Sequence, residues 1–167
     1  AVLVCCSMIM TREWEDSVPA ILYSWYSGME GGNALPRLLF GDVSPGGKLP
    51  FTIPQDEKHL PYFSVTDREI VYDMYHGYSM LDKNGLKAAY PFGFGLTYTT
   101  FEMRKPVVKK QGNLVEVSTI VKNTGDRDGA QVVQVYVGMK SSRFERQKKL
   151  LKGFQKVYLK AGEETEV

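Results

Sequence analysis

Beyond Phe101 the apolar residues fall on alternate positions, and this restricts the second half of the chain to β-strands. In Leu114-Val-Glu-Val-Ser-Thr-Ile-Val121 the side chains of Val115, Val117, Thr119 and Val121 share one face, with Glu116 and Ser118 on the other. Val133, Val135 and Val137 alternate in the same way with Gln134 and Tyr136, and Leu150 to Leu159 supplies a further strand. Asn123-Thr-Gly-Asp126 reads as a turn between them. Short strands punctuated by turns predict a β-sandwich. Its last strand is expected to begin just where the sequence stops, at Val167.

The first half carries a different pattern. Residues 1–6 are a continuous apolar run, as in a strand covered on both faces. Residues 7–19 predict a polar loop or short helix ending at Pro19, and Ala20 to Tyr26 a second strand. Asn33 to Phe40 predicts a helix capped by Asn33, with Pro36 in its first turn and Gly41 ending it. Asp42-Val-Ser-Pro-Gly-Gly47 is turn chemistry, and Leu49 to Ile53 a short strand stopped by Pro54. Val71 to Leu81 reads as a strand and Asp82-Lys-Asn-Gly85 as a hairpin turn. Tyr90-Pro-Phe-Gly-Phe-Gly-Leu96 reads as an ordered connector. The fold class expected is thus α/β followed by all-β, with a partial α/β layer whose apolar faces call for further elements.

The composition, 43% hydrophobic and 24% charged, is that of a globular chain. No apolar run reaches the roughly 18 residues that cross a bilayer, so no membrane partner is expected. A net charge of +2 gives no field arguing for nucleic acid. The late basic residues, from Lys140 to Lys160, read as a solvated face or, alternatively, as a polyanion-binding one. Cys5 and Cys6 are neighbours whose side chains point to opposite faces of a strand, so they are expected as two buried thiols rather than a disulfide. That favours a reducing, cytoplasmic setting. His59 and His76 are far apart in sequence and no CxxC occurs, so neither a metal site nor a cofactor is expected.

Four stretches carry a resemblance. Trp25-Tyr-Ser-Gly-Met-Glu-Gly-Gly-Asn-Ala34 is similar to W-Y-P-G-x-E-G-G-x-A, and Leu39-Phe-Gly-Asp-Val-Ser-Pro-Gly-Gly-Lys-Leu-Pro50 to L-F-G-D-x-N-P-S-G-K-L-P. Tyr90-Pro-Phe-Gly-Phe-Gly-Leu-Thr-Tyr-Thr-Thr-Phe101 is similar to Y-P-F-G-x-G-L-S-Y-T-T-F. Asn123 to Val137, continued by Leu151 to Val157, resembles the opening of a fibronectin type III-like domain. In this order the motifs resemble the C-terminal region of family 3 glycoside hydrolases of β-glucosidase type. Ser27 in place of proline, Pro36 within the helix and Thr97 in place of serine are among the departures.

The resemblance implies that residues 1–100 are the C-terminal part of an α/β sandwich domain with its connector. Residues 101–167 are then a truncated fibronectin type III-like, immunoglobulin-like β-sandwich. It further implies hydrolysis of terminal β-linked sugars by two carboxylates about 5–5.5 Å apart, a nucleophile and a general acid/base. The resemblance places the nucleophile, an aspartate, on an upstream barrel domain, and the acid/base, where it is a glutamate of the sandwich domain, upstream of the Trp25–Ala34 segment. No catalytic residue is therefore expected in this chain, which alone is expected to be inactive. Its partners would be the upstream barrel and, through the whole enzyme, a β-linked oligosaccharide or glycoside.

Trp14 and Glu13, with Glu15 and Asp16, stand in the loop after the first strand, where ligands of open α/β sheets bind. Carboxylates beside an aromatic ring suit a sugar; the same loop also reads as an exposed segment whose Trp14 covers the sheet edge. Glu30 stands just ahead of a helix, where a carboxylate favours the positive end of the dipole. His76 among tyrosines reads as packed or hydrogen-bonded. The rival to a glycosidase portion is a non-catalytic carbohydrate- or protein-binding module. Incomplete domains would leave sheet edges open and the chain prone to association.

Overall fold

The structure is a computed structural model that describes residues 1–5 and 8–167. Two compact units emerge. The first comprises Ala1–Gly32, Leu49–Phe94 and Val137–Leu150; the second comprises Asn33–Lys48, Gly95–Tyr136 and Leu151–Val167.

In the first unit, β1 (Val2–Val4) and β2 (Ile21–Tyr23) pair in parallel, with Val2 opposite Ile21 and Val4 opposite Tyr23. Both are shorter than the apolar runs suggested. Cys5 is exposed rather than buried because β1 ends before it. Cys6, expected to face away from it, lies outside the described residues. Helix α1 (Gly31–Leu39) leads from this unit into the next, beginning two residues before the expected Asn33 cap. Pro36 consequently lies inside the helix, on an exposed stretch where its missing N–H leaves no buried carbonyl orphaned.

The strand β3 (Ile53–Pro54) pairs antiparallel with β4 (Ala88–Tyr90), so Pro54 belongs to the strand it was expected to stop. Pro54 sits at a register irregularity, where the lost donor is tolerated.

The expected strand and hairpin over residues 71–85 are replaced by α2 (Tyr78–Asn84). Two glycines set its ends. Gly77 is the N-cap residue, and Gly85 takes the left-handed conformation at φ 67°. The Leu86 N–H returns to the Leu81 carbonyl at 2.9 Å, closing the helix as a Schellman-type cap. At the other end, the Ser79 hydroxyl accepts from the His76 N–H at 3.1 Å and donates to its carbonyl at 2.8 Å. The aromatic and β-branched residues that suggested a strand precede the helix in an irregular, exposed segment. His76 itself is exposed rather than packed.

The second unit holds the β-rich half. β5 (Phe101–Met103), β8 (Ile120–Asn123) and β11 (Glu164–Glu166) form one sheet in the order β11-β8-β5, both pairings antiparallel. β11 is the strand expected to begin only at the chain's end. β9 (Gly129–Val137) and β10 (Leu150–Leu159) form a second sheet, the latter with the limits expected from the sequence. Val121 from the first sheet and Val157 and Leu159 from the second make the buried cluster, with Phe101, Val133 and Val167 against it.

The run 114–121 is two strands, not one. β7 (Leu114–Ser118) turns away to pair with β6 (Val107–Gln111) as a separate antiparallel ribbon, and the chain re-enters the sandwich as β8. Thr119 makes the break, its N–H and carbonyl both bonded to Val167 and its hydroxyl donating to the Arg104 carbonyl at 2.7 Å. Val115 is therefore exposed while Val121 is fully buried.

Candidate functional site

The carboxyl ends of the parallel pair carry a cluster of polar and aromatic residues. The Ser24 N–H bonds the Val4 carbonyl at 2.9 Å, and the Ile9 N–H bonds the Tyr23 hydroxyl at 3.2 Å, fixing where the following loops leave the sheet. The loop from Thr11 winds into a 3₁₀ turn, Glu15–Ser17. Thr11 is fully buried, and its hydroxyl donates to Glu15 Oε2 at 2.6 Å. Tyr90, on β4, stands close enough to the same carboxylate for it to act on the phenol. Burial first, then the Glu15 carboxylate, holds the Tyr90 phenol above its ordinary pKa.

Trp14 is half-buried in this turn and spends its Nε1–H on the Met10 carbonyl at 2.9 Å. Glu13 is exposed. The two sequence candidates thus stand side by side, with the indole N–H already used and the Glu13 carboxylate in solvent. Glu15, their neighbour, is held by the Thr11 hydroxyl.

Beside this turn lies an aromatic trio that the sequence did not single out. Tyr23 and Trp25 are 5.6 Å apart between ring centres, and Phe51 meets Trp25 edge-on at 5.3 Å. Trp25 has φ 54°, a left-handed conformation costly for a bulky residue. The two ring contacts hold it there. The signal available beforehand was Tyr23 and Trp25 at i, i+2, on one side of an extended chain; nothing local announces Phe51. Glu30 is exposed immediately ahead of α1, as its placement near the helix start implied.

In the second unit the motif residues interlock. The Ser44 hydroxyl lies 2.6 Å from that of Thr97 and accepts from the Tyr98 N–H at 2.9 Å, while the Tyr98 hydroxyl donates to the Leu38 carbonyl at 2.8 Å. Lys48 Nζ donates to the Gly95 carbonyl. Burial, and then the nearby Lys156 charge, lower the Lys48 pKa. Gly95 packs so close to the Gly47 carbonyl that a side-chain carbon has no room. These ties position backbone, and Ser44 also lines a cleft of about 440 Å³ together with Asp42, Arg127, Asp128 and Tyr158.

Among the described residues, no group of three His, Cys, Asp or Glu side chains is placed to hold a metal ion. No helix there is long and apolar enough to cross a membrane.

Residues 1–98 match the sequence profile of the glycosyl hydrolase family 3 C-terminal domain. The chain belongs to glycosyl hydrolase family 3. Residues 131–167 match the fibronectin type III-like domain, and the family 3 chain is therefore α/β and then β-sandwich. Probable beta-glucosidase H of Emericella nidulans is 40% identical over 169 residues, 95% of this chain but 20% of that protein. The beta-glucosidase of Kluyveromyces marxianus is 41% identical over 160 residues, 92% of this chain and 19% of its own length. Among solved structures, the family 3 β-glucosidase of Bifidobacterium adolescentis superposes with a TM-score of 0.90 at 40% identity, over 99% of this chain and 26% of that one. β-Glucosidase 3B of Thermotoga neapolitana in complex with glucose gives 0.94 at 36% identity, over 99% and 25%. The family 3 chain spans about a fifth of the length of the curated relatives it matches.

Proposed function

We propose that this chain is the C-terminal part of a β-glucosidase-like enzyme that removes terminal β-linked sugars with retention of configuration, and that it completes and buttresses the sugar pocket without supplying a catalytic carboxylate. The observation that carries this reading is the match to β-glucosidases along nearly the whole chain, confined to a fifth of their length. The disposition of the local acids agrees with it. A retaining pair needs one carboxylate free to attack and one free to carry a proton. Glu15 instead accepts from the buried Thr11 hydroxyl, and Glu13 stands exposed. The nucleophile would come from a barrel domain, the main partner of this chain, and the acid/base from a part of the sandwich domain ahead of the Trp25–Ala34 segment. We place the division between its α/β and fibronectin-like parts near residue 100.

The coding sequence ahead of Ala1 tests the reading. A barrel-encoding stretch, in frame or as an adjoining gene, is the expected result; its absence from both places would overturn the assignment.

A further inference from the structure

A cleft of the first unit lies between the irregular segment 61–75 and α2, with none of the Trp14 turn in its lining. Its volume of about 540 Å³ falls in the range typical of small-molecule sites. Tyr62 and Tyr72 both line it and remain 67% and 52% exposed. Each spends its hydroxyl on the protein. The Tyr62 O–H donates to Asp67 Oδ2 at 2.7 Å, and the Tyr72 O–H donates to the Tyr62 carbonyl at 3.1 Å. Asp67 is itself fixed, its N–H bonded to the Ser64 hydroxyl at 3.2 Å. The tyrosines are thus anchored by their polar ends, with ring surface left to solvent. That order has been established before any ligand arrives, which lowers the entropy cost of binding to the rings.

The polar lining selects among ligands. Glu69, Asp73 and Asn84 face the same cleft. Asp73 Oδ1 accepts from the Tyr75 N–H at 2.7 Å, which fixes the carboxylate. Lys83, the one basic lining residue, lies 3.0 Å from Glu145 and 3.9 Å above the Tyr75 ring, so its charge is already answered. The balance is acidic, which repels phosphates and uronates. Carboxylates that accept, an amide that accepts and donates, and apolar ring faces suit a neutral molecule with hydroxyl donors along its edges and C–H groups on its faces.

We propose that this cleft is a binding site for a neutral β-linked gluco-oligosaccharide, with Tyr62 and Tyr72 as its stacking surfaces. The choice of β-linked glucose rests on the β-glucosidase reading; the site rests on the cleft alone. It is separate in the chain from the Trp14 turn and takes part in no bond-breaking step.

The test is an NMR titration of the 167-residue chain with cellotetraose, following backbone amides. The expected shifts map to residues 61–84. Tyr62→Ala and Tyr72→Ala each weaken binding roughly fivefold, a loss in the range of one aromatic contact, whereas Tyr62→Phe and Tyr72→Phe keep the ring and retain most of the affinity. Amide spectra otherwise superposable on the parent show that the variants fold. No shifts at millimolar sugar, shifts centred on Trp14, or alanine variants that bind like the parent would overturn the proposal. Glucoside hydrolysis by the full-length gene product is read separately. Hydrolysis without cleft binding removes the cleft proposal alone, and cleft binding without hydrolysis supports it while removing the enzymatic reading.

Discussion

The Thr99 hydroxyl donates to Asn123 Oδ1 at 2.6 Å, with both residues buried and Asn123 wholly so. The rest of the Asn123 amide is used as fully. Its Nδ2 donates to the Arg127 carbonyl at 2.7 Å and the Leu159 carbonyl at 3.1 Å, and its oxygen also accepts from the Gly125 N–H at 3.2 Å. One side chain therefore joins the connector after Gly95, the 123–127 turn and the end of β10. Asn123→Ala would strand the Thr99 hydroxyl and two carbonyls, and the expected cost is about 3 kcal/mol. Asn123→Asp should cost at least as much, because a carboxylate cannot donate to those carbonyls. Urea unfolding of the parent and both variants checks this; a loss under about 0.5 kcal/mol, the level of an ordinary surface substitution, would contradict it.

Gly95 offers a second test in the same unit. A Cβ there would press on the Gly47 carbonyl and the Lys48 side chain. Backbone cannot retreat as a flexible side chain can, so Gly95→Ala is expected to destabilise by about 2 kcal/mol. Gly153→Ala, where a Cβ meets nothing within 4 Å, is the control and should change stability little. Thermal melts of the two variants should separate accordingly.

Much of this fold was legible in the residues, and the losses have identifiable causes. β10 was readable to its ends because apolar residues bracket the segment at Leu150-Leu151 and Val157-Tyr158-Leu159, with no proline between them. The 114–121 run alternates with period two, yet it is cut at Thr119, where bonds to Val167, 48 positions on, decide the path. α2 hid behind tyrosines and a valine that favour strands; its limits come from Gly77 and Gly85, which sequence alone reads equally well as hairpin punctuation. Asn123 looked like turn chemistry and proved to be a buried junction, because its partners lie 24 and 36 positions away. Around Trp14 the turn and its acids could be read, but the approach of Tyr90 to Glu15 depends on β4 pairing with β3. Tyr62 and Tyr72 follow no period at all.

Trp25 yields a prediction about strain. Its left-handed backbone costs an L-residue about 1–2 kcal/mol that glycine escapes. Trp25→Ala and Trp25→Gly both forfeit the Tyr23 and Phe51 ring contacts. The glycine variant should nevertheless be the more stable by about 1 kcal/mol, reversing the usual preference for alanine over glycine. Chemical denaturation that ranks alanine above glycine would show that the strain is relieved by backbone adjustment.

The Tyr90 phenol predicts a pH dependence with a definite sign. Its pKa is raised in the folded chain, chiefly by burial and next by Glu15. The unfolded chain therefore gives up this proton first as pH climbs. Stability linked to Tyr90 is complete below the unfolded value of about 10 and is lost as pH rises through the folded value. Tyr90→Phe should show a shallower fall in melting temperature above that pH than the parent. Glu15→Gln should remove only part of the effect, since burial persists. Parallel curves for parent and Tyr90→Phe would contradict the assignment.

The measurement closest to the central claim is hydrolysis of an aryl β-glucoside followed by proton NMR of the released sugar. The 167-residue chain and the full-length product of its gene are compared under one set of conditions. The account predicts no turnover above buffer for the chain alone, and β-glucose as the first product from the full-length protein. Turnover by the isolated chain, or a full-length product that leaves the glucoside intact, would contradict it.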